Sequence, residues 1–369
     1  MTEEFKEAFL NRYQVAEERR KSGQRVIGWM CIYVPEELFM AAGMLPIRIF
    51  GGAEKTPRAD AHMYSNTCSF VRSCLEEALE GHYSFLDGLV TTNTCDHIRR
   101  LYDVWAYYQK LPFMKVFDLP QKVNEEALKR YLGQIKQLKN GLEETFGVKI
   151  TDRALGDAIE TCNRTRTLLH QLYELRKSDP PLITGVQTLE IVRTAMVLPK
   201  EEFNRMLERF LETLPADAPK TANGNLRLFI TGSELDQPEY VGLIEELGGS
   251  IVADDVCMGS RYFWDLVELK GDPLEDLAER YFTHSPCPRM RPATLRNDHV
   301  RKMVREFGVQ GAIHETIKFC DLFGMDYPLS RDLFSELGIP LLPLSREYSL
   351  AGIGQMKTRV QAFLENIEA

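Results

Sequence analysis

Apolar positions along the chain form two regions in which short hydrophobic runs alternate with amphipathic segments, separated by a long stretch of helical period. Residues 2–20 predict an amphipathic helix, and Arg25-Val26-Ile27-Gly28-Trp29-Met30 predicts a strand. Pro35-Glu36-Glu37 opens a short helix, because proline suits the first turn and acids suit its dipole; Gly43 ends it. Residues 45–50 predict a second strand, followed by Gly51-Gly52. From Cys68 the alternation is regular: helix 71–79, strand 85–90, helix 96–108, strand 113–117. Residues 124–214 are helical in period, with breaks at Gly147, at Asp179-Pro180-Pro181 and at Pro199. The polar stretch 215–225 is the expected linker. Strands then resume at 226–230, 250–253, from Gly311 and at 340–344, with helices at 240–247 and 354–367.

Strands alternating with helices predict mostly parallel sheets covered by helices on both faces. The expected fold is α/β, with two Rossmann-like parallel-sheet lobes and a helical region between them. The expected divisions are an N-terminal helix-and-strand segment (1–60), a first lobe (61–122), the helical region (123–220) and a second lobe (221–369).

Composition then removes several functions. The chain has 369 residues, 44% hydrophobic, and a net charge of −9. That charge argues against nucleic acid as the main partner, since phosphate binding needs a basic face. No apolar run approaches the roughly 20 residues of a membrane-spanning helix. The first residues, Met1 to Phe5, are acidic and lack a basic segment followed by an apolar one, so the expected location is cytoplasmic. In a reducing cytosol the eight cysteines do not form a disulfide framework.

The cysteine positions carry the chemistry. Cys95 and Cys257 each follow a predicted strand and turn, and Cys320 lies beyond the strand that starts at Gly311. In open parallel sheets, ligands gather outside the carboxyl ends of the strands. Cys68 and Cys74 stand at the start of a predicted helix, whose free N–H groups and dipole favour anions and lower thiol pKa values. Cys287 sits between Pro286 and Pro288 in a stiffened loop. There is no C-x-x-C pair of the kind found in zinc ribbons and ferredoxins, so spacing alone leaves two readings open: metal ligands, or inert buried thiols. Cys162, mid-helix, reads as structural; Cys31 stays undecided.

Longer segments bring a resemblance. Tyr33-Val34-Pro35-Glu36-Glu37-Leu38, Ala41-Ala42-Gly43-Met44-Leu45-Pro46, Thr94-Cys95-Asp96-His97-Ile98-Arg99, Asp254-Asp255-Val256-Cys257-Met258-Gly259-Ser260-Arg261, Lys318-Phe319-Cys320-Asp321 and residues 354–363 span nearly the whole chain. Together they resemble the 2-hydroxyacyl-CoA dehydratase and benzoyl-CoA reductase family, and within it most of all the double-cubane cluster proteins. The resemblance implies an iron–sulfur cluster in the crevice, either [4Fe-4S] or a bridged double-cubane [8Fe-9S]. It implies Cys68, Cys95 and Cys320 as the general ligands, and Cys74, Cys257 and Cys287 as the extra set of a double cubane. It also implies paired subunits, identical or related, a small-molecule or acyl-CoA substrate, and an ATP-hydrolysing iron–sulfur activator that donates electrons at low potential. The chain itself has no G-x-x-x-x-G-K-[ST] phosphate loop.

Three readings follow: a low-potential reductase component, a [4Fe-4S] subunit acting on a CoA thioester, and a non-catalytic electron-storage protein. His97 either shuttles protons beside the cluster or, with Asp96, caps its helix. Ser260 and Arg261 either hold an anionic group or form a surface ion pair. Glu36 and Glu37 read as helix-dipole partners.

Overall fold

The computed structural model describes residues 2–214, 225–350 and 352–368. The expected linker at 215–225 therefore lies outside the described residues, apart from Asn225. Eight strands form two four-stranded parallel sheets, as the alternation predicts. The first contains β1 (Val26–Trp29), β2 (Leu45–Arg48), β3 (Gly88–Thr92) and β4 (Phe113–Phe117), in the order β2-β1-β3-β4. The second contains β5 (Leu226–Gly232), β6 (Gly249–Asp255), β7 (Gly311–Ile317) and β8 (Leu341–Arg346), in the order β6-β5-β7-β8. Strands β1 and β2 come from the segment 1–60 and hydrogen-bond in one sheet with β3 and β4 from the segment 61–122.

The central strands β1, β3 and β5 are buried along their whole length, which is why they read as unbroken apolar runs; the edge strands β4 and β8 are only partly buried. Between the sheets in sequence lie the helices Glu125–Phe146, Asp152–Glu174, Gly185–Ala195 and Lys200–Thr213. Their breaks follow local chemistry. Gly147 ends the first at a φ of 67°, a left-handed conformation that suits glycine. Thr184 and Gln187 form a reciprocal capping box at the start of the third.

The Pro-Glu-Glu segment departs from its expected role. Glu36 and Glu37 are buried, and their partners lie beyond their own helix. Tyr262 donates to Glu36 Oε1 at 2.6 Å, and Lys200 Nζ stands 2.7 Å from its Oε2. Glu37 is paired with Arg166 and accepts from Tyr281 at 2.7 Å. Burial pushes the Glu37 pKa up, but Arg166, Arg280 and Tyr281 outweigh it and hold the carboxyl below its ordinary value. These bonds tie the segment after β1 to the helical region and to helices of the second half. Breaking one of them leaves a buried charge uncompensated, at a cost of about 3–5 kcal/mol.

Candidate functional site

The segments leaving the carboxyl ends of both sheets meet at one cavity of about 720 Å³, counting its mouth. It receives Cys31 after β1, Cys95 after β3, Glu234 after β5, Cys257 after β6 and Cys320 after β7, joined by Cys68 and Cys287. Six of the eight cysteines thus line a single space, walled otherwise by Ile32, Phe70, Val71, Ile98, Ile317 and Phe323. Two neighbouring central strands in each sheet, β1 with β3 and β5 with β7, lead here, which is where connections diverge and a crevice opens.

Local structure fixes each thiol. Cys68, Cys95 and Cys320 are the residues that begin the helices Ser69–Leu79, Asp96–Tyr108 and Asp321–Glu336. The Ile98 N–H donates to Cys95 Sγ at 3.4 Å, and the Arg289 N–H donates to Cys287 Sγ at 3.3 Å. Cys287 N–H donates to the Tyr33 hydroxyl at 3.1 Å, anchoring the proline-flanked loop to the first half of the chain. Two non-glycine residues have left-handed φ angles among the described residues, Cys31 at 81° and Phe319 at 64°. One is a cavity cysteine and the other precedes one. Such conformations cost about 1–3 kcal/mol and persist where the surroundings impose them.

Of the six cysteines expected as ligands, Cys68, Cys95, Cys257, Cys287 and Cys320 line the cavity, while Cys74 does not. Cys74 is fully buried on the helix Ser69–Leu79, six residues past Cys68, and is not among the residues that line the cavity. Cys31 lines the cavity instead. Its signal is present in the chain: it follows strand 25–30 as Cys95 follows strand 85–90. Cys162 is buried in its helix, with its thiol 3.5 Å from the Met40 sulfur.

The thiol electrostatics correct one expectation. Helix-start N–H groups do lower the pKa of Cys95, but burial outweighs them and pushes it up to about 12. Burial, with Cys31 nearby, pushes Cys287 up to about 11. Burial also raises Cys68, Cys257 and Cys320, with neighbouring thiols adding to it at Cys68 and Glu234 adding to it at Cys257 and Cys320. A desolvated group of thiols that repel one another as thiolates is suited to a cationic centre, which deprotonates its ligands outright.

The other expected residues divide. His97 lines the cavity, and its Nδ1 accepts from the Cys68 N–H at 3.2 Å. That bond leaves the proton of the neutral ring on Nε2, which is 4.0 Å from Asp321 Oδ2. Ser260 and Arg261 are fully buried rather than on the surface. Arg261 pairs with Asp255 at 2.5 Å, and its Nη1 reaches Cys257 Sγ at 3.7 Å. Ser260 donates to the Asp254 carbonyl at 2.7 Å and does not reach the cavity wall.

The residues present fit an iron–sulfur group. Six thiols supply soft ligands, the walls are largely apolar, and the Arg261 guanidinium reaches Cys257 Sγ from behind. Arg48 Nε and Nη1 and Arg289 Nη1 are buried donors with no hydrogen-bond partner among the described residues. Buried donors of this kind are ordinarily satisfied, and an anionic group in the cavity would give them a counter-charge.

The family described as 2-hydroxyglutaryl-CoA dehydratase, D-component, matches residues 31–367. The chain is 30% identical to the (R)-phenyllactyl-CoA dehydratase beta subunit of Clostridium sporogenes, over 94% of this chain and 93% of that one. It is 30% identical to a benzoyl-CoA reductase subunit of Thauera aromatica, over 94% and 91%. It is 27% identical to (R)-2-hydroxyglutaryl-CoA dehydratase, subunit beta, of Acidaminococcus fermentans, over 100% and 99%. No helix among the described residues is long and apolar enough to cross a membrane.

Proposed function

We propose that this chain, which belongs to the 2-hydroxyglutaryl-CoA dehydratase D-component family of enzymes, is the low-potential iron–sulfur component of a reductase that is charged by an ATP-hydrolysing iron–sulfur activator. The observation that carries the reading is the six-cysteine cavity between the two sheets. Cys31, Cys68, Cys95, Cys257, Cys287 and Cys320 would hold the cluster, in a number that suits a bridged double cubane. Such a cluster supplies one-electron chemistry at low potential. The chain's own residues do the rest. The apolar wall of Ile32, Phe70, Ile98 and Phe323 excludes water, so that charges in the cavity interact strongly. His97 presents an N–H at the cavity and is the proposed proton carrier for a small substrate. The protein is proposed to pair with a second copy or a related subunit, for which the exposed Tyr64 and Tyr107 offer contact.

A second reading is supported by the relatives' names: a [4Fe-4S] subunit of a complex that dehydrates a 2-hydroxyacyl-CoA or reduces an aromatic acyl-CoA. Anaerobic purification with iron and sulfide counting separates the two. The double cubane predicts about twice the iron of a single cubane. Iron at the single-cubane level selects the second reading, and colourless protein holding only zinc overturns both. A chain that carries the cluster but stays inert with activator, ATP and either substrate class would be an electron-storage protein.

A further inference from the structure

Arg48 closes β2 opposite Trp29, the last residue of β1. Its side chain is 1% exposed, and its guanidinium lies 5.0 Å from the Trp29 ring. One nitrogen, Nη2, donates to Glu234 Oε1 at 3.0 Å; the other two are buried without a partner. Glu234 lines the cavity, and its second oxygen is also buried and unpartnered. Other buried guanidiniums of the second half are matched more fully. Arg261 is held by Asp255, Arg296 by Asp255 and Asp326, and Arg346 by Glu315. Arg48 and Glu234 therefore form a half-satisfied pair spanning the two sheets at the cysteine cavity.

We propose that this pair sets the electrostatic balance of the cavity: Arg48 favours the more reduced state of the cluster, and Glu234 opposes it. The proposal rests on the cluster reading above. Adding an electron makes the site more negative, and a nearby guanidinium stabilises that change while a carboxylate disfavours it. Arg48 meets the cavity through Glu234, whose carboxylate it binds and which lines the wall. Both residues are positioning residues, since neither is a proposed cluster ligand.

The opposite signs supply the test. Anaerobically purified protein and its Arg48→Met, Arg48→Lys and Glu234→Gln variants are titrated with dithionite-poised mediators and followed by electron paramagnetic resonance. At a fixed potential, Arg48→Met should lower the reduced-to-oxidised ratio about tenfold, equivalent to 59 mV for one electron. Arg48→Lys should shift it less in the same direction, and Glu234→Gln should raise it. Iron content and circular dichroism should match the unaltered protein in all three. If Arg48→Met fails to fold, the opposed shifts of Arg48→Lys and Glu234→Gln decide the matter. Shifts in one common direction, or none, with full iron would overturn the charge-balance proposal and leave the cluster reading standing. Unaltered protein without iron would overturn both.

Discussion

The two sheets share one strand order and deliver different chemistry from matching positions. Strands β3 and β7 correspond: β3 ends at Thr92 with Cys95 three residues on, and β7 ends at Ile317 with Cys320 three residues on. Both cysteines begin a helix, and both line the cavity. Strands β1 and β5 also correspond, yet the residue two beyond β1 is Cys31 and the residue two beyond β5 is Glu234. The matching edge positions reverse their charge, since β2 closes on Arg48 and β6 on Asp255. Topology thus fixes where a ligand gathers, and the side chain at each strand end decides what that place can bind. The first sheet brings thiols and a buried cation; the second brings thiols set among buried ion pairs.

The largest expected effect tests the matched thiols. Cys95→Ala and Cys320→Ala should each abolish activator-stimulated turnover and lower the iron content, with circular dichroism unchanged because each removes one thiol at the edge of the cavity and leaves the core packing in place. Equal loss in both variants would support equivalent roles. Full activity in Cys95→Ala would show that the first sheet serves the fold and not the chemistry.

Stability should separate the sheets as well. Asp255 receives Arg261 and Arg296 and is fully buried, so Asp255→Asn strips Arg261 of its carboxylate partner and leaves Arg296 with Asp326 alone. The expected loss is about 3–5 kcal/mol in urea unfolding. In the first sheet Asp87 is equally buried, but its partners Arg20 and Arg25 reach solvent. Asp87→Asn should cost about 1 kcal/mol. Equal losses would remove the contrast between the sheets. Acid should expose the same asymmetry. Burial pushes the Asp255 pKa up, but Arg261 and Arg296 outweigh it and hold it well below the usual carboxylate range. A lowered folded-state pKa gives stability that is present above the unfolded value and lost as pH falls. Stability should therefore decline below about pH 4, and that decline should be shallower in Asp255→Asn.

Much of this architecture is legible in the chain. Both sheets, their alternation and the helical region follow from period and breakers, because strands buried on both faces show as apolar runs. Helices Pro273–Thr283, Thr294–Glu306 and Asp321–Glu336 escape that reading. The first has a signal, since Asp272 caps it just before Pro273 and accepts from Leu274 and Glu275 N–H groups. The third carries Pro328 in its interior, which reads as a breaker. Five cavity cysteines stand out from their places at loops, strand ends and helix starts. The sixth, Cys31, stays undecided in the chain, while Cys74, expected from its place near a helix start, is buried outside the cavity lining. The buried pairs of Glu36, Glu37 and Arg261 are not legible, since their partners or their depth depend on long-range packing.

The smallest effects decide between Cys31 and Cys74. Cys74 packs in the core away from the cavity wall, so Cys74→Ser should leave iron content unchanged and cost about 1 kcal/mol by placing a hydroxyl in a buried site. Cys31→Gly should do the reverse. At a φ of 81° the backbone of Cys31 is in a region where any Cβ is strained, so glycine should relieve about 1 kcal/mol and raise the melting temperature of cluster-free protein slightly. The same variant should lose iron, because the thiol it removes is a cavity thiol. Iron loss in Cys74→Ser with none in Cys31→Gly would reverse the assignment and place the sixth ligand on the helix after all.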